Sequence, residues 1–386
     1  MTETPSDYLN VINTPVEKYN HHTFGYKVGK FTLVNLGNTC FLNSVIQALY
    51  YTIPFRKFIL SGKYQTNERM WNEFVNLIKM GSSGNYRMTP NSFFGAFALR
   101  KRKFNHDQED AHETLIFLLS AFHETLIEKN MKFYDTTPVS CLDDRQIIKK
   151  SLKELNATTK VSEINRIFMI QLQQRTQCLQ CERTSFRFPI SYELVLPLEN
   201  TSSYRSLYHL IKDSCSRETL QGEESYHCDH CCEKCNENND KDNSNDNSKN
   251  KSENMKCTKT NALKKTNFFR LPDSLIVVLG RFKASYNARL GMMHYSKNEK
   301  MIDYPVLNLD LTDYCKYPDS PKQLYDLYAV TCHIGSTPHG GHYYTIAKAE
   351  NKWILFNDEK LEYVSNLDQL VTNKAYILYY KKKTEF

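Results

Sequence analysis

LVNLGNTCFLNSVIQALY, residues 33–50, carries two signals at once. Gly37 and Asn38 mark a turn. Beyond it Leu42, Val45, Ile46 and Leu49 recur at i, i+3, i+4 and i+7, which is one face of an amphipathic helix. Pro54 predicts that this helix ends near there. Cys40 therefore stands at a helix start. A thiol in that position meets the positive end of the helix dipole and the unpaired N–H groups of the first turn, and both favour the reactive thiolate. The same N–H groups can stabilise an oxyanion during acyl transfer, and Gly37 allows a turn that a side chain would obstruct. A lone cysteine is also well explained as a small buried hydrophobe, and a nucleophile needs a base.

Outward from this stretch the chain is helical first and strand-rich later. A second helical pattern runs through Ala111–Leu126, with Leu115, Leu118, Leu119, Phe122 and Leu126 on one side. FRFPISYELVLPL (186–198) and SLIVVLGRF (274–282) read as strands. From Tyr325 to Tyr380, runs such as YDLYAVTCHI, HYYTIAKA, KWILFN and KAYILYY alternate with short polar turns. The order predicts an α+β fold. Residues 1–29 are polar and read as an extension. Residues 236–256, NENNDKDNSNDNSKNKSENMK, have almost nothing apolar to offset ordering entropy and read as a disordered insertion.

Hydrophobic residues make up 40% of the 386 positions, enough for a sizeable core. The net charge of +7 is modest and its Lys and Arg are interspersed with Asp and Glu, so no nucleic-acid partner is expected. No apolar run is long enough to span a bilayer. MTETPSDYLN has no basic start leading into an apolar stretch, so the expected setting is cytoplasmic or nuclear, and reducing.

A base is offered by HGGHYY, residues 339–344. Its glycines permit a tight backbone and close approach of a substrate chain. His342 then opens a strand that can hold its ring, though His333 and His339 compete on spacing alone. A cysteine with a downstream His and Asn is the papain-like arrangement, whose partners meet only in space. Asn357 and Asp358 follow WILF (353–356), and either can orient the second ring nitrogen of His342.

Among 12 cysteines, Cys178-x-x-Cys181 and Cys228-x-x-Cys231 form two paired sets. Four thiolates at such spacing suit a tetrahedral structural Zn2+. Cys232-x-x-Cys235 is an alternative second pair.

These stretches together resemble the ubiquitin-specific proteases. LVNLGNTCFLNSVIQALY is similar to that family's cysteine box. HGGHYYTI (339–346) with WILFND (353–358) resembles its histidine box, QEDAHE (108–113) an acidic element, and LPDSLIVVLGRF (271–282) a strand motif, all in the family's order. The resemblance implies a papain-like hand, with a thumb over residues 30–165, zinc-bearing fingers over 166–270 and a palm over 271–386. It implies that Cys40 is the nucleophile, His342 the base, Asn357 the third triad member and Asn35 an oxyanion donor, with Asp358 an acidic neighbour of variable role. It implies that Gln108, Asp110 and Glu113 meet ubiquitin's basic tail, that Gly340 and Gly341 line its path, and that Cys228 and Cys231 rather than Cys232 and Cys235 complete the zinc site. Glu109, Thr114 and Gly280 depart from the family pattern without removing a reacting group. ALYYTIPFR (48–56) resembles short members activated by a WD-repeat partner. The expected reaction is hydrolysis after ubiquitin's last glycine through a Cys40 thioester. A protease for a ubiquitin-like modifier and an inactive ubiquitin-binding scaffold are the rival expectations.

Overall fold

A computed structural model describes residues 29–102, 104, 107–127, 160–198, 206–231, 259–289, 291–315, 322–366 and 369–383. The expected insertion at 236–256, the extension up to residue 28, and Cys232 and Cys235 lie outside the described residues.

The apolar periodicity after Gly37 becomes α1 (Cys40–Tyr51), which starts at the cysteine. One buried face was expected; every residue of α1 is buried. The reason is its position between other helices and a sheet. Its polar residues are accommodated by local bonds: Gln47 Nε2 donates to Phe31 O at 2.8 Å and Ser44 Oγ to Phe41 O at 2.8 Å. Pro54 does not simply stop this helix. It lies in the first turn of α2 (Ile53–Leu60), where a missing N–H costs nothing. Then come α3 (Arg69–Ser82), α4 (Asn91–Arg100), α5 (Ala111–Thr125) and α6 (Glu163–Phe168). Aromatic rings from successive helices interlock, with Phe122 5.2 Å from Trp71 and 4.8 Å from Phe74 between centroids.

Short strands β1 (Thr32–Leu33) and β2 (Arg87–Met88) pair in parallel beside α1. The run predicted as strand at 186–198 divides into β4 (Thr184–Arg187), β5 (Ile190–Ser191) and β6 (Leu194–Pro197). A finger sheet is formed in the order β4, β3 (Ile170–Cys178), β10 (Ala262–Arg270), β7 (Arg217–Leu220), with β5 also on β3. Beside it β8 (Tyr226–His227) pairs with β9 (Lys259–Thr260). A separate hairpin joins β12 (Phe282–Asn287) to β13 (Met292–Lys297).

The palm is a larger sheet. Its order is β18 (Lys360–Tyr363), β17 (Lys352–Asn357), β16 (Gly340–Ala349), β15 (Leu324–Thr337), β19 (Ala375–Lys382), β11 (Ser274–Gly280), β6, and β14 (Leu309–Asp310) also pairs with β15. Period-two alternation supplies two cores. Ile276, Val278, Ile377 and Tyr379 pack with the helices, whereas Leu275, Val277, Leu279, Leu378 and Tyr380 face the other way, toward α7 (Leu207–Ser214) and Tyr304. Burial on both faces explains why β11 reads as an unbroken apolar run. Gly280 departs from the family's residue where β11 meets β6: a Cβ there would lie 3.1 Å from Leu196 O and 3.1 Å from Pro197 Cα. Among the described residues no helix is long and apolar enough to cross a membrane.

Candidate active site and metal centre

Cys40 is the first residue of α1 and is 3% exposed. The loop before it is wound tightly. Gly37 has φ +103°, Thr39 N–H donates to Gly37 O at 2.9 Å, and Leu36 N–H donates to Thr39 Oγ1 at 2.9 Å. Facing the thiol is His342 on β16, half-buried and with Cys40 as its strongest electrostatic partner. His342 Nε2 lies 2.6 Å from Asn357 Oδ1 on the neighbouring strand β17, which leaves Nδ1 for the thiol. Cys40 is the main influence on this imidazole. Burial opposes it and Asn357 adds to it, and the pKa rises to about 9. The ring is thus held by an oxygen that fixes its tautomer and is poised to stand as imidazolium beside sulfur.

Asp358 takes another direction. Its φ is +49°, which breaks the regular strand after Asn357. Its carboxylate accepts from Asn35 Nδ2 at 2.8 Å and from Asn43 Nδ2 at 2.9 Å, and its carbonyl accepts from Leu33 N–H at 3.0 Å. Asn35 Oδ1 in turn accepts from Thr39 N–H at 3.0 Å. Asp358 therefore clamps the loop before Cys40 to the start of α1. Each amide nitrogen carries two hydrogens, so Asn35 Nδ2 has a second hydrogen besides the one given to Asp358. Asn43 was missed in the sequence. A polar residue three places after the cysteine, inside an otherwise apolar helix face, was the available signal.

The other histidines are occupied elsewhere. His333 is fully buried, places Nε2 3.1 Å from Gly340 O, and is pushed down to about 4 by burial and by Lys297. His339 is exposed, with its ring 5.4 Å from Tyr295. Gly341, exposed and with φ +119°, has no room for a side chain: a Cβ would fall 2.1 Å from Ile334 O. Gly340 beside it is half-buried.

The acidic element sits differently from the expectation at one position. Asp110 is 6% exposed and caps α5, accepting His112 N–H at 2.7 Å and the Tyr376 hydroxyl on both oxygens at 3.0 and 2.8 Å. Burial raises its pKa while those two donors pull it back. Its carboxylate is thus engaged inside the chain by the α5 backbone and by Tyr376. Glu113, one turn on, is exposed. Gln108 is half-buried, and its Nε2 is buried with no partner among the described residues. Glu109, where the family has Gln, forms an ion pair with Lys101.

In the fingers, Cys178 ends β3, Cys181 lies in the turn beyond it, and Cys228 and Cys231 follow β8. Their four Sγ atoms lie within 4.8 Å of one another. Cys178 and Cys231 are 3.8 Å apart and Cys181 and Cys228 3.6 Å. Tetrahedral zinc with Zn–S near 2.3 Å requires S···S of about 3.8 Å, so the donor set fits that ion. Thr260 Oγ1 lies 3.3 Å from Cys178 Sγ, and Gln180 N–H donates to the same sulfur at 3.4 Å. Burial alone would raise this thiol. The hydroxyl and backbone donors overcome that and lower it, whereas Cys228 and Cys231 are raised, chiefly by burial, as expected where one thiol of a close cluster ionises first.

The ubiquitin carboxyl-terminal hydrolase family model matches residues 31–380. Ubiquitin carboxyl-terminal hydrolase 4 of Arabidopsis thaliana is 29% identical over 346 residues, spanning 86% of this chain and 85% of that protein. Ubiquitin carboxyl-terminal hydrolase 12 of Salmo salar is 30% identical over 351 residues, spanning 89% and 82%. Among solved structures, the SAGA Ubp8/Sgf11/Sus1/Sgf73 DUB module bound to ubiquitin aldehyde matches with a TM-score of 0.66 at 19% identity, over 94% of this chain and 72% of that one. A yeast SAGA DUB module with a mutant Sgf73 gives 0.65 at 19% identity, over 94% and 71%. Likeness at that identity concerns the fold, which is the papain-like hand of helical and sheet parts. With the sequence match running through both walls of the cleft and the fingers between them, the chain belongs to the ubiquitin carboxyl-terminal hydrolase family.

Proposed function

We propose that this chain is a deubiquitinating cysteine protease that hydrolyses the isopeptide or peptide bond after ubiquitin's C-terminal glycine. The observation that carries the reading is the Cys40–His342–Asn357 line, with the thiol beside an imidazole whose Nε2 lies 2.6 Å from Asn357 Oδ1. Cys40 sulfur attacks the glycine carbonyl carbon. The carbonyl π electrons move onto oxygen, and the remaining Asn35 Nδ2–H and the first N–H groups of α1 stabilise that oxyanion. The oxyanion collapses, the C–N bond breaks, and the imidazolium of His342 gives its proton to the departing amine. Water then attacks the thioester with His342 as base, and the thiol leaves with the free ubiquitin carboxylate as product.

Gly340 and Gly341 leave space for a glycine tail, and Glu113 offers an exposed carboxylate to a basic residue in that tail, with the half-buried Gln108 beside it. The four clustered cysteines hold one structural zinc. Four thiolates close the coordination sphere, so the metal supplies cohesion to the fingers and no catalytic position. Unpaired cysteines at both sites suit a reducing compartment, cytoplasm or nucleus. A WD-repeat activator rests on the resemblance of residues 48–56 alone, and most of that stretch is thumb interior, with Ala48–Thr52, Phe55 and Arg56 buried.

The test is covalent labelling by ubiquitin bearing a C-terminal electrophile. Wild-type protein should form a single adduct at Cys40, and Cys40→Ala none. An unlabelled wild type would overturn the reading.

A further inference from the structure

The helix carrying Cys40 and the strand carrying His342 meet through apolar side chains of one shared core, among them Val45, Ile46, Tyr343 and Ala347. Apolar contact is non-directional. It holds two elements together without fixing how far one slides along the other. A buried hydrogen bond is set into this interface. Thr345, fully buried on β16, donates from Oγ1 to the Ser44 main-chain oxygen of α1 at 2.9 Å. A carbonyl has two lone pairs, so Ser44 can accept Thr345 as well as its helical partner. Ser44 lies one turn along α1 from Cys40, and Thr345 lies three residues along β16 from His342.

The hydroxyl that makes this bond is itself held. Thr331 is the cross-strand neighbour of Thr345, and the two Oγ1 atoms are 2.9 Å apart. A threonine hydroxyl has one proton. With that of Thr345 on Ser44 O, the proton between the two threonines comes from Thr331. Thr331 is also fully buried, and the Tyr379 hydroxyl, 3.4 Å away, is a second and more distant acceptor for its proton.

We propose that Thr345 is a positioning residue: its hydroxyl, held by Thr331, fixes the register of the Cys40 helix on the His342 strand and so the separation of thiol and imidazole. The inference rests on the reading of Cys40 and His342 as the reacting pair.

The full chain is compared as wild type, Thr345→Val, Thr331→Val/Thr345→Val and Thr345→Ser. Three quantities are read: Cys40 alkylation by iodoacetamide at neutral pH, followed by mass spectrometry of the Cys40 peptide; kcat and KM on a ubiquitin C-terminal amide; and Tm. Small misplacements of reacting groups are expensive, so Thr345→Val should slow both alkylation and kcat about tenfold while KM stays within about twofold. It should also lower Tm, because the buried Thr331 hydroxyl is left with only the longer bond to Tyr379. The double variant removes both hydroxyls, so its Tm should return toward wild type while alkylation and kcat stay slow. Thr345→Ser retains the hydroxyl and should recover most of both rates.

A purely structural role would restore rates and Tm together in the double variant, and that result overturns the proposal. So does a folded Thr345→Val protein with wild-type alkylation, or a double variant that remains unstable. If Thr345→Val does not fold, the double variant carries the test. A wild type whose Cys40 is readily alkylated but which leaves ubiquitin amides intact would refute the proposed function, and the alkylation series would still decide the role of Thr345.

Discussion

Cys40 and Cys178 are both buried sulfurs at the end of a secondary-structure element, and their surroundings give them opposite chemistry. Cys40 opens a helix and meets one imidazole. Cys178 closes a strand and meets three more thiols within 4.8 Å. The first arrangement leaves a nucleophile with a proton carrier beside it; the second consumes all its sulfur in a closed donor set. They also differ in origin. Cys181 is three residues from Cys178, and Cys231 three from Cys228, whereas every partner of Cys40 arrives from a distant strand. The same functional group is reactive or inert according to whether its neighbours are bases or competitors for one cation.

That contrast can be broken most severely at Cys40. Cys40→Ala should bring hydrolysis of a ubiquitin C-terminal amide to background, a loss on the order of 10⁶. Ubiquitin binding, measured by titration calorimetry, should persist because the tail contacts do not need sulfur. Substantial turnover in this variant would sink the nucleophile assignment.

The fingers should fail in another way. Cys178→Ser or Cys228→Ser should reduce zinc from one ion per chain to none by elemental analysis, and lower Tm, because structural zinc binding is folding free energy. Cys40 alkylation should stay within about threefold of wild type if the two sites are as separate as their partners suggest. Active wild-type protein without zinc would refute the metal assignment.

A sharper cut falls between Asn357 and Asp358. Asn357→Ala should lower kcat about 10- to 100-fold by releasing the His342 tautomer, and Asn357→Asp should retain much of the rate. Asp358→Ala frees Asn35 and Asn43 and should act on oxyanion stabilisation with the imidazole still held. Kinetics of both alanine variants and their double would separate the roles. If Asn357→Ala is silent and a folded Asp358→Ala is dead, the two have been assigned the wrong way round.

Smaller still is a pH effect. His342 is raised to about 9, chiefly by Cys40. A raised histidine adds stability in full below its ordinary value near 6.5 and loses it as pH climbs through the folded value. Cys40→Ala should move the NMR titration of the His342 ring downward and narrow that window. An unmoved titration would show that sulfur is not the cause. The least effect is expected from deleting residues 236–256. Closure cost changes by only about 0.6 kcal/mol per doubling of loop length, so turnover on a minimal ubiquitin amide should stay nearly unchanged. A folded deletion with collapsed activity would make that segment functional.

The cysteine pairs were legible because their spacing is local, and α1 and α5 because their apolar residues recur at the helical period. The cleft's finer wiring was not. Asp358 turns away from His342 through a positive φ that no residue type announces, and its partners Asn35 and Asn43 lie across the fold. Asp110 was matched with Glu113 to the family's acidic element. Only the packing of Tyr376 over it reveals an internal cap. Pro54 was expected to mark the end of α1, which stops at Tyr51, and it also lies in the first turn of α2. Each miss concerns a side chain whose partner is set by tertiary contact rather than by its neighbours in sequence.

The position of β19 has a consequence for how the protein comes to life. This strand, the last of those described, does not sit at a sheet edge. It lies between β15 and β11, near the middle of the palm. A growing chain emerges with Cys40 first, while the strands that bring His342 and close the sheet around it are still unmade. The thiol therefore spends synthesis without its base, and long-range pairing of this kind is slow to form. Proteolytic competence arrives as a late event, after the ribosome has delivered the strand that joins the palm's two halves.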